Sequence, residues 1–295
     1  MTPDVAALLR AWNPGIVIHS LEFLGEGDFC VAFLLNGHEV VRVPRHDEAM
    51  RALALEACML PRLAPLLPAP VPQPAFVTRF SIHELVPGVQ LAEEGWRQLP
   101  GATRAALGYA IGRFLEALHE IDPSVASSCQ TRWFDHQAHA QQLRERVERT
   151  GEPALTRTEV LAALDRYLMK GAEWVYQPAI LHADVSPEHV LIDPDQGEIT
   201  GVIDWGDLRI GDPARDFIFL YEDWGFDFLV RALDAYERES RETMQPRVMM
   251  LYLMDQLDWA LRAAEQGRRT DFADGLNALD RAMKDFRRGM SEGRA

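Results

Sequence analysis

Residues 16–43 consist of short apolar runs separated by tight turns. The runs occupy 16–24, 30–35 and 40–43. Asn36-Gly37 lies between the last two, and because both residues tolerate a positive φ, the pair is typical of a two-residue hairpin turn. The turn before it has the sequence GEGDF, residues 25–29. This pattern predicts three antiparallel strands near the start of the chain.

The periodicity becomes helical at 47–64, where acidic residues begin the segment as the helix dipole favours. A proline-rich stretch, 66–75, then predicts a stiff extended connector, and 76–85 resumes strand character. From 107 to 121, apolar residues recur every three or four positions, as in a helix that buries one face. Further helices are predicted at 132–148, 157–176, 213–221, 225–238, 245–266 and 270–288.

The most informative stretch is 180–216, in which two aspartates follow short apolar strands. Asp184 comes just after the first strand, and Asp204 ends the strand predicted at 199–203. This order would place both carboxylates on one edge, an arrangement that suits metal-assisted phosphoryl transfer. One carboxylate would accept the proton of the attacking hydroxyl and the other would hold Mg²⁺ on the phosphates. The alternative is that Asp184 belongs to a chance triplet and that Asp204 is a turn residue.

The spacing His182-x-Asp184-x-x-x-x-His189, followed by Asp204-Trp205-Gly206, resembles the catalytic-loop and metal-binding signatures of the protein-kinase superfamily. More closely, it resembles the aminoglycoside phosphotransferases and their macrolide-phosphorylating relatives. The resemblance implies that Asp184 is catalytic and that Asp204 and His189 bind the metal. His189 stands where kinases have asparagine, and its alternative role is structural. An imidazole is also a poorer ligand for Mg²⁺ than an oxygen.

The same resemblance implies a nucleotide site in the first part of the chain. The turn at 25–29 would be the glycine-rich phosphate loop, and Arg42 would replace the kinase lysine, with Arg45 as a possible substitute. Glu56 would pair with this cation. Residues 83–88 resemble the kinase hinge, where main-chain groups bind the base. The implied nucleotide-binding residues are Gly25, Gly27, Asp28, Arg42, Glu56, Glu84 (carbonyl) and Val86 (N–H).

Two further residues of the central stretch are predicted to be structural. His182 would brace the loop that presents Asp184. Asp216 lies among apolar residues, so its carboxylate would need hydrogen-bond donors, which the resemblance places on the backbone of the catalytic loop.

The acceptor site is expected on the helices that follow residue 213. Acidic residues there, with an aromatic wall, would suit a cationic amino sugar, since carboxylates pair with ammonium groups. The predicted acceptor-binding residues are Asp184, Glu222, Asp223, Asp255, Asp258 and Trp259. For Asp258 the alternative is an ion pair with Arg262, four residues later on the same helix.

Composition narrows the class of protein. The chain has 295 residues, 47% of them hydrophobic, which suffices for one large or two modest domains. Its formal net charge of −15 disfavours nucleic-acid binding and favours a cationic ligand. The spacing of the three cysteines, Cys30, Cys58 and Cys129, is not that of metal ligands. We therefore expect them to be packing residues of a protein in a reducing compartment. No stretch resembles a secretory signal or a membrane span, so we expect a cytoplasmic monomer without membrane association.

The resemblance implies an α+β, bilobal, protein-kinase-like fold, with a nucleotide-binding lobe at 1–87 and a catalytic and acceptor-binding lobe at 88–295. The first lobe would be a small antiparallel sheet and the second mainly helical. The implied activity transfers the γ-phosphate of ATP or GTP, with Mg²⁺, to a hydroxyl of an aminoglycoside. The alternatives are a macrolide or metabolite acceptor, and a nucleotide-binding module without catalysis.

Overall fold

The computed structural model describes residues 4–90, 93–153, 157–169, 175–193 and 196–292. Its first part is a five-stranded antiparallel sheet with the strand order β1-β2-β3-β5-β4. The strands are β1 (Leu21–Glu26), β2 (Cys30–Leu35), β3 (Glu39–Pro44), β4 (Ala75–Val77) and β5 (Phe80–Glu84). Helices α1 (Val5–Trp12) and α2 (Asp47–Leu63) accompany this sheet.

The alternation of side chains along β3 decides which residues face the site. Val41 and Val43 pack into a core with Val5 and Leu9 of α1. Because successive side chains of a strand point to opposite faces, Arg42 is directed away from this core. It faces α2, where it meets Glu56.

The first strand begins later than the sequence predicts, at Leu21 rather than residue 16. The side chain of Asn36 explains the difference. It accepts hydrogen bonds from the N–H groups of His19 and Ser20 and donates one to the carbonyl of Val17. This side chain therefore satisfies backbone hydrogen-bonding groups of the segment before β1, and that segment lies outside the sheet.

The remainder of the described chain is mainly helical, with two small three-stranded sheets. Its helices are α3 (Glu93–Gln98), α4 (Gly101–Glu120), α5 (His136–Thr150), α6 (Arg157–Met169), α7 (Ile218–Trp224), α8 (Phe226–Ala235), α9 (Arg241–Glu265) and α10 (Arg269–Glu292). Its strands are β6 (Val89–Gln90), β7 (Arg132–Trp133), β8 (Ala179–Leu181), β9 (Val190–Asp193), β10 (Glu198–Val202) and β11 (Arg209–Gly211). The sheets have the orders β10-β9-β6 and β7-β11-β8.

This architecture confirms the predicted fold class, a small antiparallel sheet followed by a larger, mainly helical part. The chain passes from the first sheet to the second between Glu84, which ends β5, and Val89, which pairs with Ile192 of β9. The lobe boundary at residue 87 stays a prediction. In the described ranges, no helix is both long enough and apolar enough to cross a membrane.

One prediction about the cysteines is wrong. Cys58 of α2 and Cys129 form a disulfide, with Cα atoms 5.9 Å apart. Only Cys30 behaves as a packing residue, buried with Ala49 and Leu53. The paired cysteines are separated by 71 positions, so no local spacing marks them as partners.

The disulfide should stabilise the fold, because closing a long loop reduces the conformational entropy of the unfolded chain. The expected gain in the free energy of unfolding is roughly 4 kcal/mol. We expect a reductant to lower the urea midpoint of the natural protein to that of Cys129→Ser. The variant itself should not respond to the reductant, which serves as the control. An unchanged midpoint of the natural protein in reductant would show that the bond does not form in solution.

Candidate active site

The loop after β8 holds Asp184 in a strained but well-supported conformation. Ala183 has a φ of +69°, which residues with a Cβ rarely adopt. The buried carboxylate of Asp216 keeps it there by accepting the N–H of Ala183 at 2.5 Å and that of His182 at 3.0 Å. The backbone on either side of this bend is thereby fixed, and with it the position of Asp184.

His182 connects this loop to the strand that leads to Asp204. Its Nδ1 accepts the N–H of Asp184 at 3.2 Å, and its Nε2 lies 3.0 Å from the carbonyl of Ile203. The ring is fully buried, and burial lowers its pKa, so the neutral imidazole donates from Nε2. These contacts are those of a brace between the two predicted acids.

His189 lies between the two acids. Its Nδ1 is 3.4 Å from Oδ2 of Asp184, and its Nε2 is 3.6 Å from Oδ2 of Asp204. One imidazole therefore spans the gap between carboxylates that are 20 residues apart in the sequence (204 − 184). At one end of this arrangement, the hydrogen bonds of Asp216 and His182 hold the loop that carries Asp184. At the other end, Asp204 has a φ of +59°.

The two carboxylates have different electrostatic environments. Burial raises the pKa of Asp184 to about 6, with His189 opposing the rise and Asp207 adding to it. Burial would also raise the pKa of Asp204, but Arg42 and His189 hold it below its usual range. At neutral pH, Asp184 is mostly ionised yet basic enough to take a proton, whereas Asp204 stays ionised. This difference suits a base and a metal ligand, respectively.

Arg42 joins the sheet to the acids. Its Nη1 donates to Oε2 of Glu56 at 2.6 Å, and its Nη2 donates to Oδ1 of Asp204 at 3.1 Å. Glu56 is almost completely buried in α2, so the guanidinium is its charge partner inside the protein. The implied pairing of Arg42 with Glu56 is present, and binding of nucleotide phosphates by Arg42 stays a prediction.

Arg42→Lys should weaken nucleotide binding while keeping a cation beside Glu56. A single ammonium group cannot reproduce the two-pronged contact with Glu56 and Asp204. Loss of one charge-assisted hydrogen bond, about 1.5 kcal/mol, predicts a roughly tenfold rise in KM for the nucleotide. Steady-state kinetics would measure it, with Arg79→Lys, at an exposed position of the same sheet, as the matched control. An unchanged KM would show that Arg42 does not bind the nucleotide phosphates.

The glycine turn lies between β1 and β2. Gly27 donates its N–H to the carbonyl of Cys30 at 3.0 Å. Arg45 holds the turn from the other side, with Nη1 2.6 Å from the carbonyl of Gly27 and 3.1 Å from Oε1 of Glu26. Around Gly25 and Gly27, a Cβ would meet nothing within 4 Å, so space above the turn is open. Arg45 therefore supports the turn, while Arg42 is the arginine that reaches the acids.

The predicted hinge ends β5. The carbonyl of Glu84 lies 2.8 Å from Nδ1 of His83, and the side chain of Val86 packs against β10 at Gly201. A Cβ at Gly201 would approach Cγ1 of Val86 to 2.3 Å, so glycine is required for this close contact. The hinge is thus fixed against the strand that leads to Asp204. Base recognition by Glu84 and Val86 stays a prediction.

Asp204 and His189 could hold Mg²⁺ as part of its ligand set. The side chain of Asp204 is 47% exposed, so its carboxylate is accessible. Within the described residues, no cluster of three or more His, Cys, Asp or Glu side chains could hold a metal. Proteins commonly hold Mg²⁺ with one or two carboxylates together with waters and nucleotide phosphates.

A cavity of about 720 Å³ adjoins the segment that follows Asp204, where Asp207 and Arg209 line it. Its wall includes Asp207 and Arg215, whose charges act on the pKa of Asp184. The volume is that of a site for a drug-sized ligand. Four of the predicted acceptor-binding residues line it, Glu222, Asp255, Asp258 and Trp259.

Two predicted acceptor residues, Asp184 and Asp223, are not among the residues that line the cavity; Asp223 follows Glu222 on α7. Glu222 keeps contact with solvent, but partial burial, followed by the charges of Asp223 and Asp255, raises its pKa to about 7. The indole of Trp259 is 40% exposed at the cavity wall. Asp258 makes the ion pair with Arg262 that was its alternative role, at 2.6 Å.

The sequence did not single out several residues that the structure brings to the cavity. They are His136, His139, Arg146, Asp207, Arg209 and Arg215. Asp207 and Arg215 are near the predicted motifs and could have been found by their position. Arg146 lies on α5, 112 positions before its partner Asp258, and no pattern in the sequence relates the two.

Comparison with known proteins agrees with this arrangement. The profile of the phosphotransferase enzyme family (APH) matches residues 28–251, well over half of the chain. An aminoglycoside 3'-phosphotransferase of Streptomyces ribosidificus is 32% identical over 165 residues, which are 51% of this chain and 56% of that protein. The chain spans about half the length, or less, of the curated relatives that it matches.

Solved structures are similar over nearly the whole chain. The GDP and kanamycin complex of APH(2")-IIia has a TM-score of 0.86 at 25% identity, covering 95% of this chain and 98% of that one. A macrolide 2'-phosphotransferase from Brachybacterium faecium shares the fold, with a TM-score of 0.72 at 20% identity and coverage of 94% and 97%. These likenesses and the family match confirm the resemblance predicted from the sequence, and the chain belongs to the phosphotransferase enzyme family.

Proposed function

We propose that this protein is a small-molecule kinase that transfers the γ-phosphate of ATP or GTP to a hydroxyl of an aminoglycoside. The observation that carries the proposal is the position of His189, within 3.4 Å of Asp184 and 3.6 Å of Asp204. The proposed base and the proposed metal ligand thus lie on either side of one imidazole. Arg42, paired with Glu56, also contacts Asp204, which supports a phosphate site at this point.

In the proposed reaction, the acceptor hydroxyl attacks the γ-phosphorus and its proton passes to the carboxylate of Asp184. The bond from the γ-phosphorus to the oxygen that bridges it to the β-phosphorus breaks, and the nucleoside diphosphate leaves. Arg42 would bind phosphate oxygens, and Asp204 with His189 would hold Mg²⁺. When bound, Mg²⁺ supplies charge compensation for the phosphates. The pKa of Asp184, about 6, lets it act at neutral pH.

An aminoglycoside is the first acceptor to test. The relatives named above include an aminoglycoside 3'-phosphotransferase and a protein bound to kanamycin. The cavity lined by α7 and α9 has room for such a molecule and carries acids and an exposed indole that could cover a sugar ring. A macrolide is the second candidate, because Leu251 and Met254 give part of the same wall an apolar character.

Mass spectrometry of reaction mixtures tests the proposal. Purified protein is incubated with Mg²⁺, with ATP or GTP in parallel, and with a panel of aminoglycosides and macrolides. We expect one added phosphoryl group on an aminoglycoside, formed at least roughly a hundredfold more slowly when Asp184→Asn replaces the natural protein. Phosphorylation of macrolides alone would move the function to the second candidate. Tight nucleotide binding without any phosphorylated product would identify a non-catalytic nucleotide-binding module instead.

A further inference from the structure

The two predicted acids of α9 already have arginine partners. Oδ1 of Asp255 accepts from Nη1 of Arg215 at 2.5 Å. Asp258 pairs through Oδ1 with Arg146 and through Oδ2 with Nη2 of Arg262, the latter at 2.6 Å. An ammonium group that enters the cavity therefore meets carboxylates whose charge is compensated. It must share them with a guanidinium or displace one.

The arginines differ in how firmly they are held. The side chains of Arg215 and Arg146 are 16% and 17% exposed, whereas that of Arg262 is 64% exposed. Arg146 is also anchored by two hydrogen bonds to Glu265, at 3.1 and 3.0 Å. The guanidinium of Arg262 already lies largely in solvent, and Arg146 stays paired with Asp258 when Arg262 leaves, so moving Arg262 fully into solvent costs little. Moving Arg215 would leave a largely buried charge without its partner, and moving Arg146 would also break its two hydrogen bonds to Glu265.

A second observation indicates that this wall receives hydrogen-bond donors from a ligand. Gln256 lines the same cavity and is only 4% exposed. Its Nε2 donates to Glu222 at 3.1 Å, but its Oε1 has no hydrogen-bond partner within the part of the chain that the structure describes. A buried acceptor oxygen without a donor is costly, and an N–H or O–H group of a bound ligand would satisfy it.

We propose that Arg262 is a specificity-determining residue. Oδ2 of Asp258 forms a subsite for one ammonium group of the acceptor, and Arg262 competes with that group for the same oxygen and can be displaced by it. Arg146 keeps Oδ1 of the same carboxylate occupied, so the subsite takes a single cationic group. Displacing Arg262 costs each amine-bearing acceptor part of its binding energy, whereas a neutral acceptor leaves the pair in place. The inference rests on the proposed function in that the cavity is taken to be the acceptor site.

Calorimetric titration with kanamycin, and with kanamycin whose amino groups are all acetylated, tests this role without requiring catalysis. Arg262→Gln should bind kanamycin roughly twofold to fivefold more tightly than the natural protein, the range that an exposed pair supports. It should bind the acetylated compound with unchanged affinity. Arg268→Gln is the matched control, because it removes the same charge from an exposed pair with Asp271. It should leave both affinities unchanged.

Several outcomes would overturn the inference. They are unchanged or weaker binding of kanamycin to Arg262→Gln, equal tightening for both ligands, equal tightening in Arg268→Gln, and no kanamycin binding to either protein. The result also separates the two proposals. Tighter binding without any phosphorylated product would contradict the proposed function alone, and phosphorylation of kanamycin with an unchanged affinity in Arg262→Gln would contradict only the role of Arg262.

Discussion

Asp184→Asn should lower kcat for phosphoryl transfer by roughly a hundredfold to ten-thousandfold, the range expected for loss of a general base. The amide has almost the same shape as the carboxylate but cannot take the proton of the acceptor hydroxyl. The backbone N–H of residue 184 would still donate to His182, so the loop should keep its conformation. Nucleotide affinity should change little, since Arg42, Glu56 and Asp204 remain in place.

Three measurements together define this result, namely kcat with the best acceptor, nucleotide affinity by titration, and the thermal midpoint. Asp227→Asn provides the same chemical change at an exposed position in the first turn of α8 and should leave all three unchanged. An Asp184→Asn protein with full activity would rule out the proposed mechanism. Loss of activity accompanied by loss of the folded state would instead give Asp184 a structural role.

Local patterns in the sequence were enough to predict most of the framework of the site. The sequence predicts the second strand at 30–35 and it is observed at Cys30–Leu35, because a short apolar run and the Asn36-Gly37 turn both act over a few residues. The two aspartates were predicted on neighbouring strand ends for the same reason. Helix α1 was not predicted, although its apolar residues Val5 and Leu9 are buried against the sheet.

Pairs formed by tertiary folding could not be predicted in this way. Arg146 with Asp258, Arg215 with Asp255, and Cys58 with Cys129 are separated by 112, 40 and 71 positions. No helical or strand period relates such positions, so the acids of α9 looked free to bind a cation. The pair of Asp258 with Arg262 was anticipated as an alternative because it spans one helical turn.

Asp216→Ala should damage both stability and activity. The carboxylate is 1% exposed and accepts three hydrogen bonds, from the backbone of His182 and Ala183 and from Nε2 of His119 at 3.0 Å. His119 is in turn 3.1 Å from the hydroxyl of Tyr236, so a buried network depends on this group. Removing one partner of a buried charged network typically costs about 3–5 kcal/mol. We expect a loss of that size in the free energy of unfolding.

Activity should fall because Ala183 would lose the acceptor that holds its positive φ, and Asp184 would then move from its place beside His189. Urea unfolding and kcat per folded molecule, measured well below the unfolding transition, test the two effects separately. Asp216→Asn, which keeps one carbonyl oxygen, should be intermediate in both. Asp280→Ala, which breaks an exposed pair with Lys284, should change neither by a measurable amount. A variant at Asp216 that is inactive but as stable as the natural protein would contradict the structural role, because the buried donors would then have found other partners.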